Sequence, residues 1–131
     1  MAITHKASSG ENIKFILFNP NTLCSQRAAT FSSKEPETLD WIEEFGCGEK
    51  ILFDIGANIG LYSIYHSKLN NGKSFAFEPS FFNLKLLAKN INKNELSEFI
   101  TVLQIPLSDS SGVNSFIDGG ISEGGALNGL V

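Results

Sequence analysis

The stretch FDIGANIGLYS, residues 53–63, decides the fold of this protein. It starts in an apolar run, passes through an acid and two glycines four residues apart, and enters a second apolar segment. This pattern predicts a strand, a tight loop and the start of a helix. Because glycines permit tight turns and close approach of the backbone to a ligand, the loop is a candidate cofactor site.

Predicted strands and helices alternate around this loop. An apolar strand precedes it, and two further strand patterns follow, separated by segments with helical periodicity. The strands cover residues 50–56, 74–79 and 99–109, and the helices cover about 59–70 and 81–94. Such alternation across short connections is typical of βαβ units in a parallel sheet. Since residues 50–56 lack polar alternation, we expect that strand to be buried on both faces.

The flanking parts of the chain carry weaker signals. We expect residues 1–10 to be loose, 12–19 to form a strand, 20–34 to form a loop, 35–45 to form a helix and 112–118 to form a fourth strand. The last stretch is rich in glycine. Because a doubly wound sheet usually has five or more strands, the sheet is expected to be incomplete towards the C-terminus.

Composition narrows the class of protein. The chain has 131 residues, 42% of them hydrophobic, and a net charge of −4, which suits one globular domain. There is no Lys/Arg cluster, no run long enough to span a bilayer and no apolar signal core, so we expect a cytoplasmic protein without a nucleic-acid or membrane partner. Cys24 and Cys47 fit no metal spacing. We expect reduced thiols, with a disulfide as the alternative.

The acid at the mouth of the loop points to the kind of cofactor. The G-x-G-x-x-G spacing of dinucleotide sites fails at Asn58, and the G-K-[ST] of a phosphate-binding loop is absent. Asp54 would repel a pyrophosphate and favour a cation. S-adenosylmethionine carries two cationic centres, an ammonium and a sulfonium. Glu78, at the end of the next predicted strand, is placed to accept hydrogen bonds from ribose hydroxyls.

Three segments together resemble the FkbM family of S-adenosylmethionine-dependent methyltransferases. They are FDIGANIGLYS, FAFEPSFFNLKLLAKNINKN and ITVLQIPLSDSSG, and KEPETLDWIEEF is similar to the helix that precedes the loop in that family. The resemblance implies a class I methyltransferase fold: α/β, Rossmann-like and doubly wound, with a mostly parallel sheet. It implies that residues 1–48 lead into the fold and that residues 49–131 bind S-adenosylmethionine.

The resemblance also implies roles for individual residues. The loop residues frame the methionine part of the cofactor, Glu78 holds its ribose, and the turn after the third strand lies against its adenine. The implied cofactor-binding residues are Asp54, Gly56, Asn58, Gly60, Glu78, Leu107 and Asp109. The methyl acceptor would be a hydroxyl of a sugar or another small metabolite. The implied site contains no metal.

The family's later acidic motif, I-D-x-E-G, has no match in this chain. Three explanations stay open: the chain is a fragment, the rest lies on another polypeptide, or the protein no longer catalyses. No residue here is a convincing catalytic base. His5 lies in the segment expected to be loose, and His66 is predicted on a helix surface, neither with an acidic partner.

Simpler explanations exist for the same residues. Asp54 also suits a helix N-cap, Asn58 and Asp109 suit turns, and Glu78 suits an ordinary strand end. The aromatic residues are expected in the core rather than in stacking platforms, except that Tyr62 or Tyr65 edges the pocket. Those expected in the core are Trp41, Phe45, Phe75, Phe77, Phe81 and Phe82.

The sequence therefore predicts the cofactor-binding part of an O-methyltransferase. A nicotinamide-dependent oxidoreductase is one rival function, although the glycine spacing disfavours it. The other rival is a non-catalytic module that pairs with a partner chain or forms an oligomer. That function predicts an exposed apolar face, because a half sheet leaves a strand edge and a face uncovered.

Overall fold

The structure is a computed structural model that describes residues 1–113, 115–117 and 129–130. The elements, in chain order, are β1 (Ala2–Lys6), β2 (Asn12–Ile16), α1 (Thr22–Ala29), α2 (Phe31–Lys34), α3 (Pro36–Phe45), β3 (Leu52–Ile55), α4 (Leu61–Asn70), β4 (Ser74–Phe77), α5 (Phe81–Lys93), β5 (Ile100–Leu103), β6 (Phe116–Ile117) and β7 (Gly129–Leu130).

The centre of the fold is a three-stranded parallel sheet in the order β3-β4-β5. Asp54 pairs with Ala76 and Ser74 pairs with Ile100, so all three strands end at the same edge. The helices α4 and α5 form the crossovers between consecutive strands. This arrangement confirms the predicted α/β class and the parallel order of the sheet.

The N-terminal part is more ordered than the sequence suggested. Residues 1–10, expected to be loose, contain β1, which pairs antiparallel with β2. Residues 20–34, expected to be a loop, contain α1 and α2. The sequence signal that was missed is Asn21, the N-cap residue of α1, whose side chain accepts a hydrogen bond from the Cys24 N–H at 2.9 Å.

Two asparagines, Asn90 on α5 and Asn94 at its C-cap, attach the N-terminal hairpin to the rest of the domain. Asn94 accepts from the Ile16 N–H at 2.8 Å and donates to the Ile16 carbonyl at 2.7 Å. Asn90 accepts from the Phe18 N–H and donates to the Ile59 carbonyl, both at 2.8 Å. The buried side of α5 therefore carries hydrogen-bonding groups as well as leucines.

The predicted surface position of His66 is wrong, because its imidazole is buried. Nε2 lies 2.7 Å from the Lys50 carbonyl, which can only accept, so Nε2 carries the proton. Nδ1 then accepts from the Asn70 amide at 3.0 Å. His5 is also ordered, with Nδ1 2.7 Å from Ser32 Oγ.

One face of the sheet is uncovered in the described part of the chain, contrary to the expectation that β3 is buried on both faces. Leu52 and Asp54 are buried, but Phe53 and Ile55, on the opposite face, are 63% and 64% exposed. Several aromatics expected in the core are exposed as well. They are Trp41, Phe45 and Phe81, while Phe75, Phe77 and Phe82 are half-buried. The exposed face is the feature that the partner-chain hypothesis predicted.

The fourth predicted strand is short and does not join the parallel sheet. β6 pairs antiparallel with β7 in a separate two-stranded ladder. Asp118, the predicted end of that strand, and most of the glycine-rich stretch lie outside the described residues. Among the residues described, no helix has the length and apolarity needed to cross a membrane.

Candidate functional site

The loop between β3 and α4 is held at the carboxyl edge of the sheet by backbone hydrogen bonds. The N–H groups of Gly56 and Ala57 both donate to the Phe77 carbonyl, at 2.8 and 3.0 Å. Gly56, Asn58 and Gly60 all have left-handed φ values, of 73°, 53° and 98°. Such values favour glycine and are tolerated by asparagine, which explains the residue types at these positions.

Packing also favours glycine at position 60. A Cβ atom there would lie 2.6 Å from Cδ1 of Leu87 on α5. The absence of a side chain lets α4 begin directly against α5. The glycine spacing noted in the sequence therefore serves the turn and the helix contact at once.

Glu78 connects the loop to the start of α5. It follows β4 and is only 3% exposed. One carboxylate oxygen accepts from the Asn58 N–H at 2.7 Å, and the other accepts from the Ser80 N–H at 2.9 Å. Glu78 is therefore not the exposed strand end of the simpler explanation. Each oxygen retains a second lone pair that can accept another donor.

Asp54 lies one strand away, and its carboxylate is buried at 8% exposure. Its Oδ2 atom accepts from the Ser63 hydroxyl at 2.7 Å and from the Ser63 N–H at 3.2 Å. These bonds satisfy a donor in the first turn of α4, but the N-cap residue of that helix is Gly60, so the N-cap alternative for Asp54 is wrong. In the described structure Asp54 thus positions the loop and the helix start.

The two acids create a negative region at the sheet edge. Burial raises the pKa of Asp54, hydrogen bonds from Ser63 lower it, and the negative charge of Glu78 raises it further. The hydrogen bonds to both carboxylates come from neutral donors. A cationic ligand at this edge would gain from both charges.

Asp54→Asn is expected to raise the melting temperature at neutral pH, because the ionised carboxylate is disfavoured by burial. The folded-state pKa is raised, so the wild type binds an extra proton between the unfolded and folded pKa values and loses stability as pH rises through that window. The difference in melting temperature between the variant and the wild type should therefore shrink as the pH is lowered towards the ordinary pKa of Asp. Thermal melts of both proteins at several pH values measure this difference. A difference in melting temperature that does not change with pH would contradict the prediction.

A cavity of about 250 Å³ lies between the loop and the two N-terminal helices. Its lining comes from α1, α2, the loop and the first turn of α4, and includes Gly56 and Asn58. The remaining lining residues are Arg27, Thr30, Phe31, Lys34, Glu35, Ala57, Ile59, Leu61 and Tyr62. Sequence reasoning missed the contribution of residues 27–34 because that segment was predicted to be a loop.

Tyr62 occupies the wall of this cavity, as one of the two tyrosines was expected to do. Its hydroxyl donates to Glu35 Oε2, and both burial and that carboxylate raise its pKa well above the ordinary value. Tyr62 is therefore a hydrogen-bond donor rather than a base. Tyr65 is buried elsewhere, with its hydroxyl donating to Glu43 at 2.7 Å.

The remaining predicted residues follow β5. Leu107 is about half exposed, and Asp109 is exposed, with the Ser108 hydroxyl 3.4 Å from Oδ1. The structure brings Asp54, Gly56, Asn58, Gly60 and Glu78 together at the sheet edge, whereas Leu107 and Asp109 lie in the segment that follows β5. Within the described residues, no group of three His, Cys, Asp or Glu side chains is arranged to hold a metal.

A curated methyltransferase is similar to part of this chain. Over 62 residues the chain is 39% identical to Methyltransferase sdnD from Sordaria araneosa, a match that covers 47% of this chain and 24% of that protein. The match thus spans about a quarter of the length of this relative. No protein-family model matches the chain.

Solved methyltransferase domains share the fold. The hMettl16 catalytic domain, solved with a 3′UTR hairpin, matches with a TM-score of 0.54 at 20% identity, over 80% of this chain and 45% of that one. An RNA methyltransferase from Salinibacter ruber, solved with S-adenosyl-L-homocysteine, matches with a TM-score of 0.51 at 18% identity, over 60% of this chain and 52% of that one. The fold expected from the sequence, that of class I methyltransferases, is therefore confirmed over the shared part.

Proposed function

We propose that this chain is the S-adenosylmethionine-binding part of a methyltransferase. The observation that carries the proposal is the pair of buried carboxylates, Asp54 and Glu78, on neighbouring parallel strands beside a glycine loop. Acids with neutral partners suit a ligand with a ribose and a cationic centre, and they oppose a pyrophosphate. The identity with a curated methyltransferase and the shared fold support the same cofactor.

The residues present fit this cofactor. Glu78 would accept from the ribose hydroxyls through its remaining lone pairs, while its bonds to Asn58 and Ser80 keep the carboxylate oriented. Asp54, through Ser63, would keep the first turn of α4 and the loop in place. Leu107 and Asp109 would lie near the adenine only if the segment after β5 approaches the carboxyl edge of the sheet.

The cofactor would supply an activated methyl group, and the protein would position and desolvate the reacting groups. By resemblance to the FkbM family, the acceptor would be a hydroxyl of a sugar or a small metabolite. The net charge of −4 favours such an acceptor over an RNA backbone. An alcohol acceptor needs a base, and among the described residues around the loop none is suited to that role.

Calorimetric titration of S-adenosylhomocysteine into the chain tests the proposal. We expect binding by the wild type and a loss of about 100-fold in affinity for Glu78→Ala, because two charge-assisted hydrogen bonds to ribose are removed. Asp54→Ala should also weaken binding. Glu98→Ala, an exposed acid remote from the loop, is the matched control and should bind normally.

The outcomes separate the candidate functions. A folded chain that does not bind S-adenosylhomocysteine would contradict the proposal. A change of NADH fluorescence on adding the protein would favour the oxidoreductase function instead. The uncovered face with Phe53 and Ile55 supports a partner chain or further segment against the sheet. If the protein sediments as a single monomeric species, the hypothesis that its exposed apolar face forms an oligomer would be contradicted.

A further inference from the structure

We propose that a groove between α5 and the segment after β2 docks a short acidic segment of a partner protein. The groove has a volume of about 190 Å³. It is called the lysine groove below, and its lining consists of Phe18, Asn19, Pro20, Lys85, Leu86 and Lys89. It shares no lining residue with the cavity beside the loop, so binding there is independent of the proposed function.

The apolar part of the lysine groove is held in place by the protein itself. Leu86 is buried, whereas Phe18 and Pro20 are exposed although they are apolar. The Phe18 N–H donates to the Asn90 side chain at 2.8 Å, which fixes this segment against α5. Because the surface is already ordered, an apolar side chain can pack on it at a small cost in entropy.

The cationic part of the lysine groove comes from one helix. Lys85, Lys89 and Lys93 follow one another at intervals of four residues, so they form a row along one side of α5. All three are exposed, and the helix contains no acidic residue. Among the described residues, no carboxylate forms an ion pair with any of them. In a chain with a net charge of −4, this row is complementary to an acidic ligand.

The cationic and apolar parts adjoin each other. The Nζ atom of Lys89 lies 5.8 Å from the centroid of the Phe18 ring, within the range of a cation–π contact. A ligand that fits both parts has carboxylates on either side of an apolar residue. The carboxylates would approach the ammonium groups while the apolar side chain packs beside the Phe18 ring.

The size of the lysine groove favours a peptide segment over other anions. From Lys85 to Lys93 the helix rises about 12 Å, which an extended peptide covers with about four residues. The volume of about 190 Å³ is below the roughly 300–1,000 Å³ of pockets that hold a whole small molecule, so it suits one side chain of a longer ligand. Glu95 and Glu98, both exposed, follow the last lysine and limit the row. A nucleic acid, charged at every nucleotide, needs a longer cationic surface.

Binding of short labelled peptides, followed by fluorescence anisotropy, tests the proposal. The acidic probe peptides carry two glutamates on each side of a central leucine, phenylalanine or tryptophan. The matched peptides carry glutamine in place of every glutamate, or serine in place of the central residue. We expect the acidic probes to bind at concentrations below about 1 mM and each matched peptide to bind about 5-fold more weakly or worse.

Two double variants test the assignment of the lysines. We expect Lys85→Glu combined with Lys89→Glu to weaken binding of the acidic probes by about 10-fold or more, because two attractive charges become repulsive. Lys68→Glu combined with Lys73→Glu is the matched control, since it changes the net charge equally at two exposed lysines outside the lysine groove. Thermal melts show whether both variants are folded, as surface substitutions should be.

Three results would overturn the proposal. The first is that none of the acidic probes binds, or that the glutamine peptides bind as tightly as they do. The second is an equal loss of binding in the two double variants, which would indicate a response to net charge alone. The third is a short oligouridylate that binds more tightly than the probes, which would assign the row to a nucleic acid instead. Titration of S-adenosylhomocysteine tests the proposed function separately from all three.

Discussion

Replacing Gly72 by alanine is expected to lower the free energy of unfolding by about 3 kcal/mol. The new Cβ would overlap Nε2 of His66 and lie 2.6 Å from the Lys50 carbonyl oxygen. These two groups form the part-buried hydrogen bond that orients the buried imidazole between α4 and the start of β3. The methyl group therefore has to displace a buried ring and break its hydrogen bond. Urea denaturation followed by circular dichroism measures the loss.

Gly48→Ala is the matched control for the Gly72 substitution. Gly48 has a φ of 77° and no atom within 4 Å of its would-be Cβ, so its replacement tests backbone strain without crowding. We expect a cost of about 1 kcal/mol there. A Gly72 variant as stable as the Gly48 variant would show that the packing around His66 is looser than described.

Asn90→Ala is expected to cost about 3 kcal/mol of unfolding free energy. Its fully buried side chain makes two hydrogen bonds of 2.8 Å, one to the Phe18 N–H and one to the Ile59 carbonyl. Truncation would leave the Ile59 carbonyl buried without this donor, at about 1–3 kcal/mol, and would remove the part-buried bond to the Phe18 N–H, worth about 1 kcal/mol. Since Ile59 belongs to the loop and Phe18 follows β2, the variant should also release the hairpin, which hydrogen exchange at Phe18 measures.

Asn92→Ala, two residues further along the same helix, is the control because Asn92 is exposed. Its replacement should change stability by no more than about 0.5 kcal/mol. If the two alanine variants had the same free energy of unfolding, the hydrogen bonds of Asn90 would contribute little to stability. The hairpin would then be held by its apolar contacts alone.

Local sequence patterns were sufficient to predict the parallel sheet and its two crossover helices. Apolar runs that end at an acid or a glycine mark β3 and β4, and helical periodicity marks α4 and α5. The cluster around Gly56, Asn58 and Glu78 was predictable for the same reason: strands of a parallel sheet end at one edge, whatever the rest of the chain does.

The sequence alone could not show which apolar and polar side chains are buried. Phe53 and Ile55 have the character of core residues but lie on a face that no described element covers, whereas His66 and Asn90 are polar and fully enclosed. Burial depends on what packs against a residue, and those contacts join segments far apart in the chain.

What the sequence by itself determined is the order of strands and helices, the strained loop conformations that need glycine or asparagine, and the acids at the sheet edge. Only the tertiary structure decided that Asp54 accepts hydrogen bonds from Ser63 in the first turn of α4, that Glu78 ties the loop to the start of α5, and that Arg27 and Lys34 line the same cavity as the loop. The physical reason is range: backbone preference and periodicity act over a few residues, whereas a binding cavity is formed by side chains brought together by the folded core.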